Sequence, residues 1–233
     1  MSRQRENTAA WQKMMREREY KTGSPTGAGL RMTTNANRLA LDNYPTPLCA
    51  TRALLEHESF HGTIMEPACG EGYMSVILEE AGYDVISSDI NKKCYGLGNI
   101  DFFSIIKEDI TKNQNIHSII TNPPYRYSTQ FIEHALSLVD EKVAMFLQLR
   151  FLNGIKNYEI LSKTKLTRVY VFSRLLPYVD NKGIWQKRGA FPHAWYIWDK
   201  RAKHKNHIEL RLISPEHTHS DACWNLNELI RKR

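Results

Sequence analysis

Apolar residues in this chain come in short blocks, and their spacing switches between the two periods of regular structure. Compact apolar runs at 63–66 (TIME), 84–88 (DVISS), 116–121 (IHSIIT), 143–149 (VAMFLQL), 167–172 (TRVYVF), 194–198 (AWYIW) and 208–213 (IELRLI) predict strands. Helical spacing covers 71–81, 128–139, a stretch that includes 159–163, and 223–231. Another helix is expected over 46–56, where Thr46 followed by Pro47 reads as an N-cap and first-turn pair. Residues 91–115 are less regular, and one short strand is expected within 102–108.

Strands alternating with helices predict an α/β fold with a doubly wound, mostly parallel sheet. The last two strand runs are joined by a basic turn at 200–205, too short for a crossover. A hairpin follows, and with it one antiparallel strand in the edge region. Residues 1–35 are polar and basic, with a breaker cluster (GSPTGAG) at 23–29. They read as an arm without a core of its own, mobile in isolation, ahead of one domain over 36–233. Trp11 and Tyr20 stand among Arg and Lys in that arm, which suits contact with nucleic acid.

The 233 residues suffice for one α/β domain with a core. Thirty-two Lys and Arg against 25 Asp and Glu give a formal charge of +7 and a pI near 9.2, pointing to a polyanionic partner. Arg3, Arg5, Arg16, Arg18, Lys200, Arg201, Lys203 and Lys205 are candidate phosphate contacts. No apolar run approaches the roughly 20 residues that span a bilayer, and the polar N-terminus does not read as a secretory signal. Cys49, Cys69, Cys94 and Cys223 are widely spaced without a C-x-x-C, which fits a reducing, cytoplasmic compartment. His217, His219 and Cys223 match no common zinc spacing, so no metal is expected.

Two motifs carry the chemistry. Asn122-Pro123-Pro124-Tyr125 follows a strand run. Two prolines lack N–H groups and have fixed φ, so the chain must leave the sheet stiffly at its carboxyl end. Open α/β sheets bind their ligands at that end. An amide, a backbone carbonyl and an aromatic ring then stand together and can hold a planar base by its exocyclic amine and by its face. Upstream, Glu66-Pro67-Ala68-Cys69-Gly70-Glu71-Gly72 reads as a strand end running into a glycine loop that opens a helix. Gly70 and Gly72 allow a tight turn and close approach of backbone to a ligand. The next strand run ends at Asp89, where a carboxylate can bind ribose hydroxyls.

Over about residues 42–200 the chain resembles class I S-adenosylmethionine-dependent methyltransferases, and within them the small, often phage-encoded DNA N6-adenine methyltransferases. The landmarks are Tyr44-Pro45-Thr46-Pro47, the Glu66 to Gly72 loop, Asp89, Asp101-Phe102-Phe103, Asn122-Pro123-Pro124-Tyr125 and Ala194-Trp195-Tyr196-Ile197-Trp198. The resemblance implies a Rossmann-like sheet of seven strands. It implies that Glu66, Pro67, Ala68, Cys69, Gly70 and Gly72 wrap the methionine part of S-adenosylmethionine. Asp89 with Ile90 would take the ribose, and Asp101 with Phe102 the cofactor's adenine, Asp109 being the alternative acid. Tyr44, Thr46 and Pro47 would border the cofactor carboxylate. Asn122, Pro123, Pro124 and Tyr125 would be catalytic, with Asn122 also touching the cofactor.

The implied reaction is methyl transfer to the N6 amine of adenine in DNA. Asn122 Oδ1 and the Pro123 carbonyl would accept the amine hydrogens while Tyr125 stacks on a flipped base. The same motif serves enzymes acting on RNA adenines or on protein glutamine amides. A non-catalytic nucleic-acid-binding module on this fold is a further alternative. A nicotinamide dehydrogenase fits poorly, since no full G-x-G-x-x-G is present. The stretch 175–192, with Tyr178, Trp185, Lys187 and Arg188, is a candidate for base contacts.

Overall fold

The computed structural model describes residues 44–111, 116–179, 185–186, 191–203 and 207–218. The expected basic arm, the helix at 223–231, and Lys187, Arg188 and Lys205 lie outside these residues. Helix α1 (Leu48–His57) precedes strand β1 (Thr63–Glu66), α2 (Tyr73–Glu80) and β2 (Val85–Ser87). After a 3-10 turn at Phe102–Ser104 come α3 (Lys107–Thr111), β3 (Ile116–Thr121), α4 (Ser128–Leu138), β4 (Lys142–Gln148), α5 (Ile155–Lys163) and β5 (Arg168–Phe172). A two-stranded ribbon of β6 (Tyr178–Val179) and β7 (Trp185–Gln186) precedes β8 (His193–Asp199) and β9 (Glu209–Ile213).

Seven strands form the main sheet in the order β2-β1-β3-β4-β8-β5-β9. All run parallel except β8, which is antiparallel to both β4 and β5. Successive strand residues point to opposite faces. Met65, Ile119, Val143, Met145 and Tyr196 pack on one side with Phe131 and Ile132 of α4 and Ile160 of α5. Ile64, Ile120, Phe146, Trp195 and Ile197 pack on the other with Leu54 of α1 and Met74 and Leu78 of α2. Both faces are covered over the central strands β1, β3, β4 and β8, which is why those runs are largely apolar rather than alternating, whereas edge strand β9 leaves Leu210 and Leu212 exposed. The buried rings find partners for their polar atoms: Trp195 Nε1 donates to Ala50 O at 2.8 Å and Trp198 Nε1 to Thr164 Oγ1 at 2.9 Å.

Three local expectations are corrected. The last two strands do not form a hairpin. Both edges of β8 are taken, by β4 and β5, so β9 pairs in parallel with the outer edge of β5 and the antiparallel strand lies third from that edge. No strand forms within 102–108; a 3-10 turn and the start of α3 stand there. The chain instead doubles back earlier, with Leu97 N donating to Ser87 O and a single bridge between Ser88 and Leu97. Finally, α1 begins at Leu48 with Pro47 in the cap position, and the Thr46 hydroxyl makes no cap bond.

The amino ends of β4 and β5 are tied by charge. Glu58, 6% exposed, accepts from Lys142 Nζ at 2.6 Å, from Arg168 Nε at 2.5 Å and from the Tyr170 hydroxyl at 2.8 Å. This cluster leaves the opposite, carboxyl ends of the parallel strands for the site.

Candidate active site

The carboxyl ends of β1, β2 and β3 open onto a cleft. β1 delivers Glu66 and the loop Pro67, Ala68, Cys69, Gly70 and Glu71 to its wall; β2 delivers Asp89 and Ile90. Gly70 has φ +49° and Gly72 φ +87°, a left-handed pair that turns the chain from strand into α2. The space left by the missing Gly72 side chain belongs to the protein itself: a Cβ there would fall on the Tyr95 ring. Gly72 does not line the cleft, and neither does Pro47, whereas Tyr44, Pro45 and Thr46 do.

Asp89 fixes the shape of the loop. Its Oδ2 accepts from Gly70 N at 2.9 Å, and its Oδ1 from Asn91 N at 2.8 Å and Asn91 Nδ2 at 2.9 Å. Glu66 lies beneath, 2% exposed, and accepts from the Ser75 hydroxyl. Burial, opposed by the Ser75 bond, pushes the Glu66 carboxyl up to about 8, so it holds a proton at neutral pH. Burial also pushes the Cys69 and Cys94 thiols up, which keeps both as thiols rather than nucleophilic thiolates.

The far end of the cleft is aromatic. Phe102, Phe103 and Phe131 line it with Tyr127, and the Phe102 and Phe131 rings are 4.9 Å apart. His134 Nε2 lies 3.0 Å from Phe102 O and fastens the 3-10 turn to α4. Asp101 lines the cleft beside these rings and accepts from Phe103 N at 3.0 Å. Asp109, buried, instead accepts from Ile106 N and does not line the cleft. Of the two candidate acids, Asp101 is the one placed there.

Asn122 and Pro124 close the cleft at the end of β3. Asn122 Nδ2 donates to Tyr44 O and to Thr46 Oγ1, both at 3.1 Å. The Tyr44 carbonyl can only accept, which fixes the amide with its nitrogen toward Tyr44 and its oxygen away. Among the described residues, neither Asn122 Oδ1 nor the Pro123 carbonyl receives a hydrogen bond; the Pro124 carbonyl accepts from Tyr127 N. Pro123 itself is buried.

Tyr125 lies on the other side of this corner. It lines a second cavity, with Arg126 shared between the two. Its hydroxyl is 3.0 Å from His193 Nε2. His193, the first residue of β8, stacks on Phe146 with centroids 4.9 Å apart and planes 7° apart. Burial pushes the imidazole down to about 4, so it is neutral at pH 7. The antiparallel course of β8 brings its first residue opposite Gln148, at the carboxyl end of β4.

The stretch 175–192 is brought together only in part. The Tyr178 and Trp185 positions pair across the β6–β7 ribbon, in register Tyr178 with Gln186 and Val179 with Trp185. Among the described residues, no group of three or more His, Cys, Asp or Glu is placed to hold a metal. Likewise, no helix among them is long and apolar enough to cross a membrane.

Neither a family model nor a curated protein matches the sequence. Solved structures do share the fold. A Vibrio vulnificus YJ016 protein assigned as the modification subunit of a type I restriction enzyme is 11% identical, covering 66% of this chain and 44% of its own, with a TM-score of 0.49. A Lactococcus lactis protein assigned as a hemolysin is 11% identical over 73% of this chain and 93% of its own, with a TM-score of 0.50. A Pyrococcus horikoshii protein assigned as an RNA methyltransferase is 15% identical over 86% of this chain and 99% of its own, with a TM-score of 0.49. The chain thus spans less than half of the restriction-enzyme subunit, and at these identities the likeness is one of fold.

Proposed function

We propose that the chain transfers a methyl group from S-adenosylmethionine to the exocyclic N6 amine of adenine in DNA. The observation that carries this reading is the placement of Asn122. Its nitrogen is tied back to Tyr44 and Thr46, which leaves Oδ1, beside the Pro123 carbonyl, as acceptor on a rigid corner between two cavities.

The first cleft fits the cofactor. The Glu66 to Gly70 loop would hold the methionine part, Asp89 with Ile90 the ribose, and Asp101 with Phe102 and Phe103 the adenine. Bound there, S-adenosylmethionine supplies a methyl group on a sulfonium. The protein's own part is to accept both hydrogens of the target amine at Asn122 Oδ1 and Pro123 O. Those bonds draw the nitrogen lone pair out of conjugation and aim it at the first cleft. Preorganised acceptors that need no reorientation account for most of such a rate gain. Tyr125 would stack on the base from the second cavity. The formal net charge of +7 suits a polyanion, and the basic arm and the 200–205 turn would supply phosphate contacts. Among the described residues Cys49, Cys69 and Cys94 form no disulfide, which suits a reducing bacterial or phage-infected cytoplasm.

The test is transfer of labelled methyl from the cofactor to duplex DNA, to RNA and to a glutamine peptide in parallel, with Asn122→Ala as control. Label in N6-methyladenine of DNA, lost in the Asn122 variant with cofactor binding retained, is the expected result. Label in RNA or peptide alone moves the substrate, and equal transfer by the Asn122 variant refutes the mechanism.

A further inference from the structure

The second cavity, beyond the carboxyl end of β4, has a composition of its own. Its lining includes Tyr125, Arg126, Gln148, Arg150 and Lys156, and no Asp or Glu. The chain around it presents apolar groups to solvent. Ile155 is 82% exposed and Tyr158 71% at the start of α5, each next in sequence to a lining residue. Phe191, half exposed, lies under the Arg150 guanidinium at 5.5 Å. A solvated helix start does not need an exposed isoleucine and tyrosine, and a pocket for a small anion does not need them either. Arg150 and Lys156, in a lining without Asp or Glu and beside exposed flat or branched apolar groups, match a nucleic-acid strand: phosphates for the former, base faces and edges for the latter.

We infer that this cavity and the first turn of α5 form the strand-binding surface for the DNA flanking the target base, with Arg150 and Lys156 each on a backbone phosphate and Tyr158 and Ile155 against neighbouring bases. The inference rests on the proposed function for its choice of DNA, and it adds a surface that the basic arm and the 200–205 turn do not include. It also explains the distribution of Arg126, which borders both cavities. A strand seated along Arg150 and Lys156 delivers its extruded base to Tyr125, on the side of the proline corner away from the cofactor cleft.

The experiment is fluorescence anisotropy of the full chain with a labelled DNA duplex across a series of salt concentrations, for wild type, Arg150→Ala, Lys156→Ala, the double variant and Tyr158→Ala. Cofactor affinity serves as the folding control. Each cation variant should weaken DNA binding about tenfold at low salt and lower the slope of log K against log salt by about one. Tyr158→Ala should weaken binding while leaving the slope unchanged. DNA methylated by wild type in the transfer assay, with DNA affinity and salt slope unaltered in the double variant, removes this surface and leaves the proposed function standing. DNA bound with the expected losses but never methylated keeps the surface and removes the proposed function. Wild-type protein that does not bind DNA at low salt overturns both.

Discussion

Asn122 and Thr46 meet across 76 positions of sequence: the amide Nδ2 donates to the threonine Oγ1 at 3.1 Å. Thr46 was expected to cap a helix or border the cofactor carboxylate. In the structure Thr46 lines the cleft and its hydroxyl holds the Asn122 amide. Thr46→Val keeps the shape and removes the acceptor, leaving only the Tyr44 carbonyl to hold Asn122. The expected outcome is a fall in kcat of about tenfold, matching the roughly 1.4 kcal/mol of one lost hydrogen bond in the transition state, with cofactor affinity little changed. Calorimetry of cofactor binding beside the kinetics checks it. A large loss of cofactor affinity with kcat preserved would place the Thr46 hydroxyl on the cofactor instead.

Tyr125 and His193 form a second such pair, and they should act as one unit. Tyr125→Phe keeps the ring but removes the hydroxyl that reaches His193 Nε2 at 3.0 Å. His193→Ala removes the other partner together with the ring stacked on Phe146. On the proposed function, each should raise KM for DNA more than it lowers kcat, because the pair would set the orientation of a base-stacking ring rather than supply an acceptor. In a double-mutant cycle the losses should be strongly non-additive, as for residues in contact. Additive losses would mean that the bond does not orient the ring.

How far the sequence reveals this site depends on whether a feature is local. The proline corner and the glycine loop are legible because fixed φ, missing N–H groups and missing side chains act within a few residues. The central strand runs are legible because strands covered on both faces need apolar residues throughout. Tyr95, Phe131 and His193 are not legible in this way. Tyr95 fills the space over Gly72, and Phe131 reaches the cleft from a helix that reads as ordinary core. His193 stands just before an apolar run and reaches Tyr125 only because β8 enters between β4 and β5 against the direction of both. The misplaced hairpin has the same origin, since a short connection says nothing about which strand edges are already taken. The short strand expected within 102–108 fails for a local reason: the Asp101 side chain accepts from Phe103 N and starts a 3-10 turn there instead.

Glu66 makes stability depend on pH in a defined direction. The folded carboxyl titrates near 8, against an ordinary value of 4.5. Between those values the native state keeps a proton that the unfolded chain releases. Its contribution is therefore full below 4.5 and falls by about 1.4 kcal/mol per pH unit until the folded carboxyl ionises near 8. Glu66→Gln keeps the shape and cannot ionise. The difference in Tm between variant and wild type should grow in the variant's favour from pH 5 to pH 8 and then level off. Parallel curves over that range would show that Glu66 is ionised in the native protein.

Glu58 does the opposite at the other end of the sheet. Burial would raise its carboxyl, but the bonds from Arg168, Lys142 and Tyr170 outweigh burial and hold it below the ordinary range. A depressed folded value contributes stability that is present above about 4.5 and is lost as pH falls through the folded value. Glu58→Gln keeps the bulk but leaves Arg168 and Lys142 with Asp199 as their remaining carboxylate, at 2.9 and 3.9 Å. Breaking one partner out of a buried ion cluster costs about 3–5 kcal/mol. The variant should therefore melt well below wild type at pH 7 and approach it as both are acidified. The cluster ties the amino ends of β4 and β5, away from both cavities, so methyl transfer measured well below the variant's Tm should match wild type. Denaturation at several pH values alongside turnover at low temperature separates the two effects. A Glu58 variant as stable as wild type at neutral pH would mean that the pairing only offsets the cost of burying its charges.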